Sequence, residues 1–308
     1  MATSSTLRPR IVPRASTPLL DQFEAPAVVR MWHLTSLDAP TVAAVWTLAF
    51  AWAARIQLPL WLPTLLALSA WSVYIGDRLL DARNAQTPLR HRHHFHWKHR
   101  RLFIPVAMGS AVAAIAVVLR SMPVAARERN SVLAAAALLY FTSIHSPWRL
   151  PERKLQLRVP KELLVGILFT LACATPTLAR IDWSFDPGRL LSALLPLLTY
   201  IALAWLNCHA IEKWESTPHY QTPAPRIFDS QTRSIFSLAV SLATATLLAA
   251  SAEAAMLHQR EAAILVAGAF SAAMLAFLDR HKSRLTPVTL RAAADLVLLF
   301  PIVLLTIR

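Results

Sequence analysis

The residues best placed to do chemistry are two groups of acidic side chains, each at the end of an apolar segment. In the first group, Tyr74, Asp77 and Asp81 follow one another at spacings of three and four residues, which places them on one face of a helix. Two carboxylates one turn apart can hold a hard divalent cation, and Mg²⁺ commonly binds through one or two carboxylates together with substrate phosphates. A structural interpretation fits the same spacing, in which both Asp residues pair with Arg78, Arg83 or cations of the next loop.

The second acidic group begins at Asn207 and ends at Glu215. Glu212 and Glu215 share a helical face with Cys208 and His209, at spacings of three or four residues. Taken alone, such a run is typical of a solvated helix end. Because the pattern occurs twice, we predict that two acidic helix ends meet at one site.

The composition places both groups in a membrane protein. Of the 308 residues, 56% are hydrophobic and only 16% are charged, which is rare among soluble globular proteins. Unpaired backbone groups in hydrocarbon cost several kcal/mol each, so every span must be a helix of roughly 20 apolar residues. We therefore predict an all-α, polytopic helical bundle with about nine transmembrane helices. The apolar stretches lie at about 37–55, 58–76, 102–119, 131–148, 162–179, 189–207, 234–252, 261–278 and 290–307.

Lys and Arg residues predict the orientation of the bundle, because they resist translocation when they lie in short loops near helix ends. With nine spans, 23 of the 31 Lys and Arg residues fall on the side of the amino terminus. The amino terminus is therefore predicted to be cytoplasmic and the carboxyl terminus to lie outside. This scheme gives a disordered, basic, cytoplasmic segment at 1–36 and a nine-helix domain at 37–308. The expected location of this multi-pass protein is the bacterial inner membrane.

The net charge of +14 raises the question of nucleic-acid binding. The positive residues lie in loops between apolar segments rather than in a separate module with a recognisable motif, so no nucleic-acid partner is expected. Attraction to anionic lipid or to a phosphate-bearing substrate fits their placement better. The lipid bilayer is the partner that the composition predicts.

From about residue 40 onward, the chain resembles the UbiA-type intramembrane prenyltransferases, which have nine helices and two Asp-rich motifs. The first motif of the family reads Asn-Asp-x-x-Asp-x-x-x-Asp, and its last two acids match Asp77 and Asp81. Val73 and Tyr74 stand where the family has Asn and the first Asp. The run Asp-Arg-x-x-Asp-Ala-x-Asn, which ends at Asn84, also resembles the chlorophyll-synthase branch.

The second motif of the family, Asn-x-x-Asp-x-Glu-x-Asp, is similar at Asn207 and Glu212. Ala210 and Trp214 occupy its two Asp positions, and the neighbouring Glu215 is a substitute for a missing acid. The connection after the fourth span also resembles the family, which has a Tyr and Lys stretch there. The corresponding residues are Tyr140, Lys154 and Lys161.

The resemblance implies Mg²⁺-dependent transfer of a prenyl group from a polyprenyl diphosphate to a hydrophobic acceptor in the bilayer, with aromatic acceptors included. Metal and cations would stabilise the departing diphosphate, and aromatic rings would shield an allylic carbocation. The implied catalytic residues are Asp77, Asp81, Glu212 and Tyr74. The implied Mg²⁺ ligands are Asp77, Asp81, Glu212 and Glu215. The implied substrate contacts are Arg78, Asn84, Arg90, Lys154, Lys161 and Asn207.

Two other classes of function remain open. A catalytically inactive UbiA-like scaffold fits the incomplete motifs equally well. A transporter would use the same buried charges as a relay, but it should show paired helices broken by Gly or Pro, and the chain has only five Gly residues. Convergence of the four acidic side chains on one cavity would separate a functional site from unrelated helix ends.

Two further polar stretches attract attention. The His-rich tract at 91–101 is predicted to form a basic, aromatic helix at the membrane surface. A lid over a phosphate pocket and a metal site are the alternatives for this tract. Arg291 and Asp295 have the i, i+4 spacing of an intramembrane ion pair at the start of the last span.

Overall fold

The computed structural model describes residues 22–84, 91–145, 160–181, 187–216 and 234–306. Arg90 and Lys154 lie outside these ranges, as do the side chains of Asn84 and Tyr140. Secondary structure in the described ranges is helical apart from one isolated backbone bridge, so the predicted all-α class is confirmed. The helices are α1 (Ala27–Leu34), α2 (Asp38–Ala53), α3 (Trp61–Asn84), α4 (His91–Lys98), α5 (Arg100–Ser121), α6 (Val124–His145), α7 (Lys161–Leu178), α8 (Pro187–Ser216), α9 (Ile235–Ala255), α10 (Gln259–His281) and α11 (Pro287–Val297), with 3₁₀ turns at Lys282–Arg284 and Phe300–Thr306.

Long apolar helices make the fold suitable for a lipid bilayer. Within the described residues, six segments are long and apolar enough to cross a membrane: α5, α7, α8, α9, α10 and α11 with its following 3₁₀ turn. The bent pair of α1 and α2 adds a seventh if it counts as one span. The predicted count of nine spans is not confirmed. α3 and α6 occupy two of the predicted spans, but charged residues at the carboxyl end of α3 and the amino end of α6 lower their hydropathy.

Two aromatic residues lie at the centre of the bundle, where α2 and α8 meet. Trp46 and Tyr200 are fully buried, and their ring centroids lie 4.7 Å apart in an edge-to-face arrangement. The indole Nε1 of Trp46 donates to the carbonyl of Leu298, 2.8 Å away, so the polar atom of this side chain is satisfied inside the core. This bond also fastens the end of α11 to α2.

The approach of α7 to α8 depends on a glycine. A Cβ atom at Gly166 would lie 3.0 Å from the backbone nitrogen of Trp205 and 3.1 Å from the carbonyl oxygen of Ile201. Small residues allow such close contact between membrane helices. α7 and α8 therefore pack backbone against backbone, and α8 is held in the middle of the bundle.

The outer helices α5 and α6 expose large apolar side chains. Ile115 on α5 and Val132, Leu138 and Leu139 on α6 are more than half exposed. A contiguous apolar surface of this kind is unfavourable in water, whereas acyl chains solvate it well. The outer face of these helices is thus suited to contact with lipid.

The residues before α2 belong to the folded bundle, which corrects part of the predicted disordered segment at 1–36. The backbone N–H of Phe23 donates to the carbonyl of Arg284 over 2.9 Å, and that of Ala25 donates to Oγ1 of Thr289 over 2.8 Å. The next element is α1, on which the side chain of His33 is buried. These long-range contacts have no local sequence signal, which is why composition alone predicted disorder here. Residues 1–21 lie outside the described ranges.

Candidate functional site

A buried polar cluster lies where α1, α2, α3, α8 and α11 meet, and we define it by His33, Asp38, Arg78, Asn207 and Asp295. The first four of these residues are no more than 4% exposed. Polar side chains rarely occur inside a membrane bundle without a structural or functional reason, because their desolvation is costly. The cluster is therefore the most unusual chemical feature of the described fold.

The centre of the cluster is a contact between His33 and two carboxylates. Nδ1 of His33 lies 2.8 Å from Oδ2 of Asp38 and 3.2 Å from Oδ2 of Asp295. α1 and α2 meet at 89°, and Ser36 adopts a left-handed conformation with φ 59° in the break between them. Asp38 is the first residue of α2, where the backbone N–H groups of the helix favour a carboxylate. The bend turns this carboxylate back towards α1.

Arg78 supplies positive charge to the cluster from α3. Its Nη2 lies 3.7 Å from Oδ2 of Asp38, and its Nη1 donates to the carbonyl of His33 over 3.4 Å. Its guanidinium also lies 6.0 Å from the ring centroid of Tyr74, whose hydroxyl is within electrostatic range of Asp38 and Asp295. The cluster is electrically neutral when His33 carries its second proton. A balanced set of charges offsets the cost of burying each one.

Asn207 joins the second predicted acidic segment to the cluster. Its Nδ2 donates to Oδ1 of Asp295 over 3.3 Å, whereas its buried Oδ1 has no hydrogen-bond partner within the described part of the chain. Two turns further along α8, Glu215 accepts a hydrogen bond from Arg291. The expected ion pair between Arg291 and Asp295 is thus replaced by contacts with other helices.

A second, more exposed group of charges lies between α7 and α8. Nζ of Lys161 is 3.2 Å from Oε1 of Glu212 and 3.7 Å from Oε1 of Glu162. The carboxyl groups of Glu162 and Glu212 are therefore neighbours around one ammonium group. Two adjoining carboxylates around one cation form an oxygen-rich site that is open to water.

The His-rich helix α4 packs against the acidic end of α3. Nε2 of His93 lies 3.9 Å from Oδ2 of Asp81, and Nε2 of His96 lies 3.1 Å from the Ser36 hydroxyl. His93 and His96 are buried, whereas His94 is exposed. α4 therefore covers the break between α1 and α2. The predicted position of this helix at a membrane surface stays a prediction.

Helix ends that are distant in the sequence meet in this region. The cluster includes Arg78 and Asn207 and borders Tyr74, three of the predicted site residues. Asp77 and Asp81 lie on either side of Arg78 in α3. Glu212 and Glu215 lie after Asn207 in α8, and Lys161 of α7 lies beside Glu212. Four residues in these two groups of charges were not among the predicted site residues: His33, Asp38 and Asp295 in the buried polar cluster, and Glu162 beside Lys161.

A local signal was available for some of these four residues. Glu162 stands directly beside the predicted Lys161, at the start of an apolar stretch. His33 and Asp38 flank the point where the first apolar stretch begins. Their meeting with Asp295 depends on a helix break and on a contact across the whole chain, neither of which the local pattern encodes.

The donor atoms fit Mg²⁺ at some of the predicted positions and not at others. Glu162 and Glu212 offer adjacent carboxylate oxygens, the ligands that Mg²⁺ prefers. Glu215 is occupied by Arg291 and fits less well. His33, Asp38 and Asp295 also bring three donor atoms within 4.8 Å of one another, but the guanidinium of Arg78 already supplies a cation there.

Comparison with known proteins does not assign the chain to a family. No family model, no curated protein and no solved structure matches this chain. A functional argument therefore depends on the residues and their geometry.

Proposed function

We propose that the protein is a UbiA-type integral membrane prenyltransferase, which transfers a prenyl group from a polyprenyl diphosphate to a hydrophobic acceptor. The observation that carries the proposal is that α3 and α8 contribute Arg78 and Asn207 to the buried polar cluster, while Lys161 of α7 lies beside Glu212 of α8. The apolar helices around this region suit the prenyl chain. In the reaction, the carbon–oxygen bond to the diphosphate breaks, and both electrons leave with the diphosphate. A nucleophilic atom of the acceptor forms the new bond to carbon and releases a proton.

Acidic residues of intermediate burial would hold Mg²⁺ in this proposal. Asp77 and Asp81 on α3 are one set of ligands, and Glu212 with Glu162 is the second. Bound Mg²⁺ neutralises part of the diphosphate charge and so makes it a better leaving group. The ammonium of Lys161 is about two-thirds exposed and can contact a phosphate from its position beside Glu212.

Two further residues take roles that follow from their surroundings. Arg78 is buried and held by Asp38, so we assign it to positioning α3 rather than to phosphate contact. The ring of Tyr74, which lies on the same helical face as Asp77, would shield positive charge that develops on the prenyl carbon. Asn207 orients Asp295 through its amide.

An inactive UbiA-like scaffold is the second candidate, and a specific observation favours it. Asp81, Glu212 and Glu215 each have a basic partner on another helix. In a scaffold, these contacts would hold helices together and bind no substrate. A transporter that uses the buried polar cluster as a relay is a third candidate.

Binding of farnesyl diphosphate and geranylgeranyl diphosphate to purified protein, with and without Mg²⁺, separates these candidates. We expect Mg²⁺-dependent binding that Asp77→Asn, Asp81→Asn and Glu212→Gln each weaken about ten- to a hundredfold, which corresponds to the loss of one charge-assisted contact. Glu128→Gln on α6 is the matched control, because Glu128 is exposed and stands apart from these groups. It should bind as the unmodified protein does.

Two outcomes would count against the proposal. Mg²⁺-dependent binding that ignores all three substitutions would refute the residue assignment. Folded protein that binds neither diphosphate would favour the scaffold, in which the same substitutions lower only the thermal stability.

A further inference from the structure

A separate cavity lies at the other end of α2. Asp38, in the buried polar cluster, begins α2, whereas Ala53 and Arg55 at its far end line the cavity. The 16 residues of α2 rise about 24 Å at 1.5 Å each, so the two sites are distinct. The cavity has a volume of about 520 Å³, which is within the range of small-molecule sites.

The interior of the cavity is apolar with two hydroxyl groups. Phe50, Pro196 and Leu197 supply apolar wall from α2 and α8. Thr177 and Ser192 also line the cavity, and both are buried. Oγ1 of Thr177 has no hydrogen-bond partner among the residues that the structure describes. This oxygen is enclosed by protein atoms, so the cavity wall beside it is apolar in character.

The rim of the cavity is positively charged. Arg55 and Arg180 line it and are exposed, and Glu261 is the one acidic residue that the described ranges contribute to the lining. Arg180 uses Nη1 to donate to the carbonyl of Pro176 over 2.7 Å, and its guanidinium has four further N–H donors that can serve an anion. Among the residues that the structure describes, the rim therefore carries two guanidinium groups and one carboxylate.

A neighbouring carboxylate is held by two side chains. Glu253 is buried beside the cavity, and its Oε2 lies 2.7 Å from Nδ1 of His258 and accepts a hydrogen bond from Ser192 over 2.8 Å. These contacts stabilise the carboxylate where it lies, so a head group at the rim need not supply a donor to it.

We propose that this cavity binds a single-chain amphiphilic anion. The apolar chain lies along Phe50, Pro196 and Leu197, and the carboxylate or phosphate head group contacts Arg55 and Arg180, since guanidinium groups bind either anion well. Such a molecule is supplied by the surrounding bilayer, and its binding is independent of prenyl transfer.

Photolabelling tests the proposal directly. The full-length protein in phosphatidylcholine nanodiscs is labelled with a fatty acid that carries a diazirine on its chain, and the labelled peptides are mapped by mass spectrometry. We expect labels on α2, α7, α8 or α10 at this end of the bundle. Excess palmitate or lysophosphatidate should displace them, and whichever acts at the lower concentration identifies the head group. Hexadecanol and inorganic phosphate, which have only the chain or only the charge, should displace far less.

Matched variants test the two halves of the site. Arg55→Asn with Arg180→Gln should weaken binding at least tenfold, and Asn is chosen at residue 55 because it tolerates the left-handed φ of 57°. Ala193→Leu, which fills the cavity, should reduce labelling without removing charge. The control Arg120→Gln with Arg129→Gln changes two exposed arginines elsewhere. A thermal unfolding curve confirms that each variant is folded.

Three results would overturn the proposal. Equal displacement by hexadecanol and palmitate would remove the role of the charged rim. Equal binding by the Arg55/Arg180 variant and its control would also show that the two arginines do not bind the head group. Labels that fall only on the exposed outer helices α5 and α6 would mean that the probe reports general lipid contact.

Discussion

At the scale of single residues, the buried polar cluster depends on Arg78. This side chain is 3% exposed and faces Asp38, whose carboxylate also lies against His33. Removing one partner of a buried ion pair leaves the other charge without compensation, and this usually costs more than the intact pair contributes. The packing of α3 against α1 and α2 should therefore be sensitive to the charge at this position.

We expect Arg78→Gln to lower the free energy of unfolding by about 3–5 kcal/mol, since it leaves the two buried carboxylates of Asp38 and Asp295 with only His33 to offset them. Arg83→Gln, on the exposed part of the same helix, should change it by less than about 0.5 kcal/mol. Denaturant unfolding in detergent, followed by circular dichroism, measures both. Equal effects of the two substitutions would show that the charge of Arg78 is solvated.

At this scale, some residues in and beside the buried polar cluster have a local sequence signal and others do not. Tyr74, Arg78 and Asn207 could be singled out because each lies at a polar end of a long apolar segment, and their roles in prenyl transfer stay predictions. His33 could not be singled out, because it lies on a helix of only eight residues and one of its carboxylate partners is the distant Asp295. The pairing of Glu215 with Arg291 was hidden for the same reason, because 76 positions separate them.

At the scale of helices, two glycines in similar sequence settings have opposite surroundings. A Cβ at Gly166 would meet the backbone of α8, whereas a Cβ at Gly109 on α5 meets nothing within 4 Å. Both residues lie within helices, where glycine is intrinsically unfavourable compared with alanine. The same substitution should thus have opposite effects at the two positions.

We expect Gly166→Ala to destabilise the protein by about 1–3 kcal/mol, because the new methyl group forces α7 away from α8. Gly109→Ala should stabilise it by up to about 1 kcal/mol through helix propensity alone. Thermal unfolding of both variants, with circular dichroism, gives the sign of each change. A stabilising effect at residue 166 would contradict the close packing of these two helices.

The apolar runs located the helices well, because a run of about 18 such residues has few alternatives in a membrane protein. All nine predicted stretches fall on helical segments of the described chain. The number of spans was harder to predict. α3 mixes apolar residues with Asp77, Arg78 and Asp81, so its role in the membrane depends on which of its faces is buried.

At the scale of the whole molecule, charged residues that were predicted on one side of the membrane meet at one end of the bundle. Lys161 contacts Glu212, and Arg291 contacts Glu215. The arginines predicted on the opposite side include Arg55 and Arg180, which lie together at the rim of the cavity. The two sets of charges thus lie in separate groups, and which of the groups faces the cytoplasm stays a prediction.

Cysteine labelling tests that orientation. On a background without Cys173 and Cys208, single cysteines at positions 90 and 226 should react only with reagent that reaches the cytoplasm. Cysteines at 55 and 180 should react from outside. The expectation follows from the excess of Lys and Arg in the loops at 77–102, 145–161, 208–234 and 279–291. Positions 90 and 226 on opposite sides would rule out the nine-span scheme.

The buried polar cluster also has a consequence for synthesis of the chain. A ribosome produces His33, Asp38 and Arg78 early, while the second carboxylate of the cluster, Asp295, arrives with α11. Until then, Arg78 and a protonated His33 face only one carboxylate, so this part of the bundle is one negative charge short of balance. We therefore expect a chain shortened before α11 to hold α1, α2 and α3 together less firmly than the complete chain does.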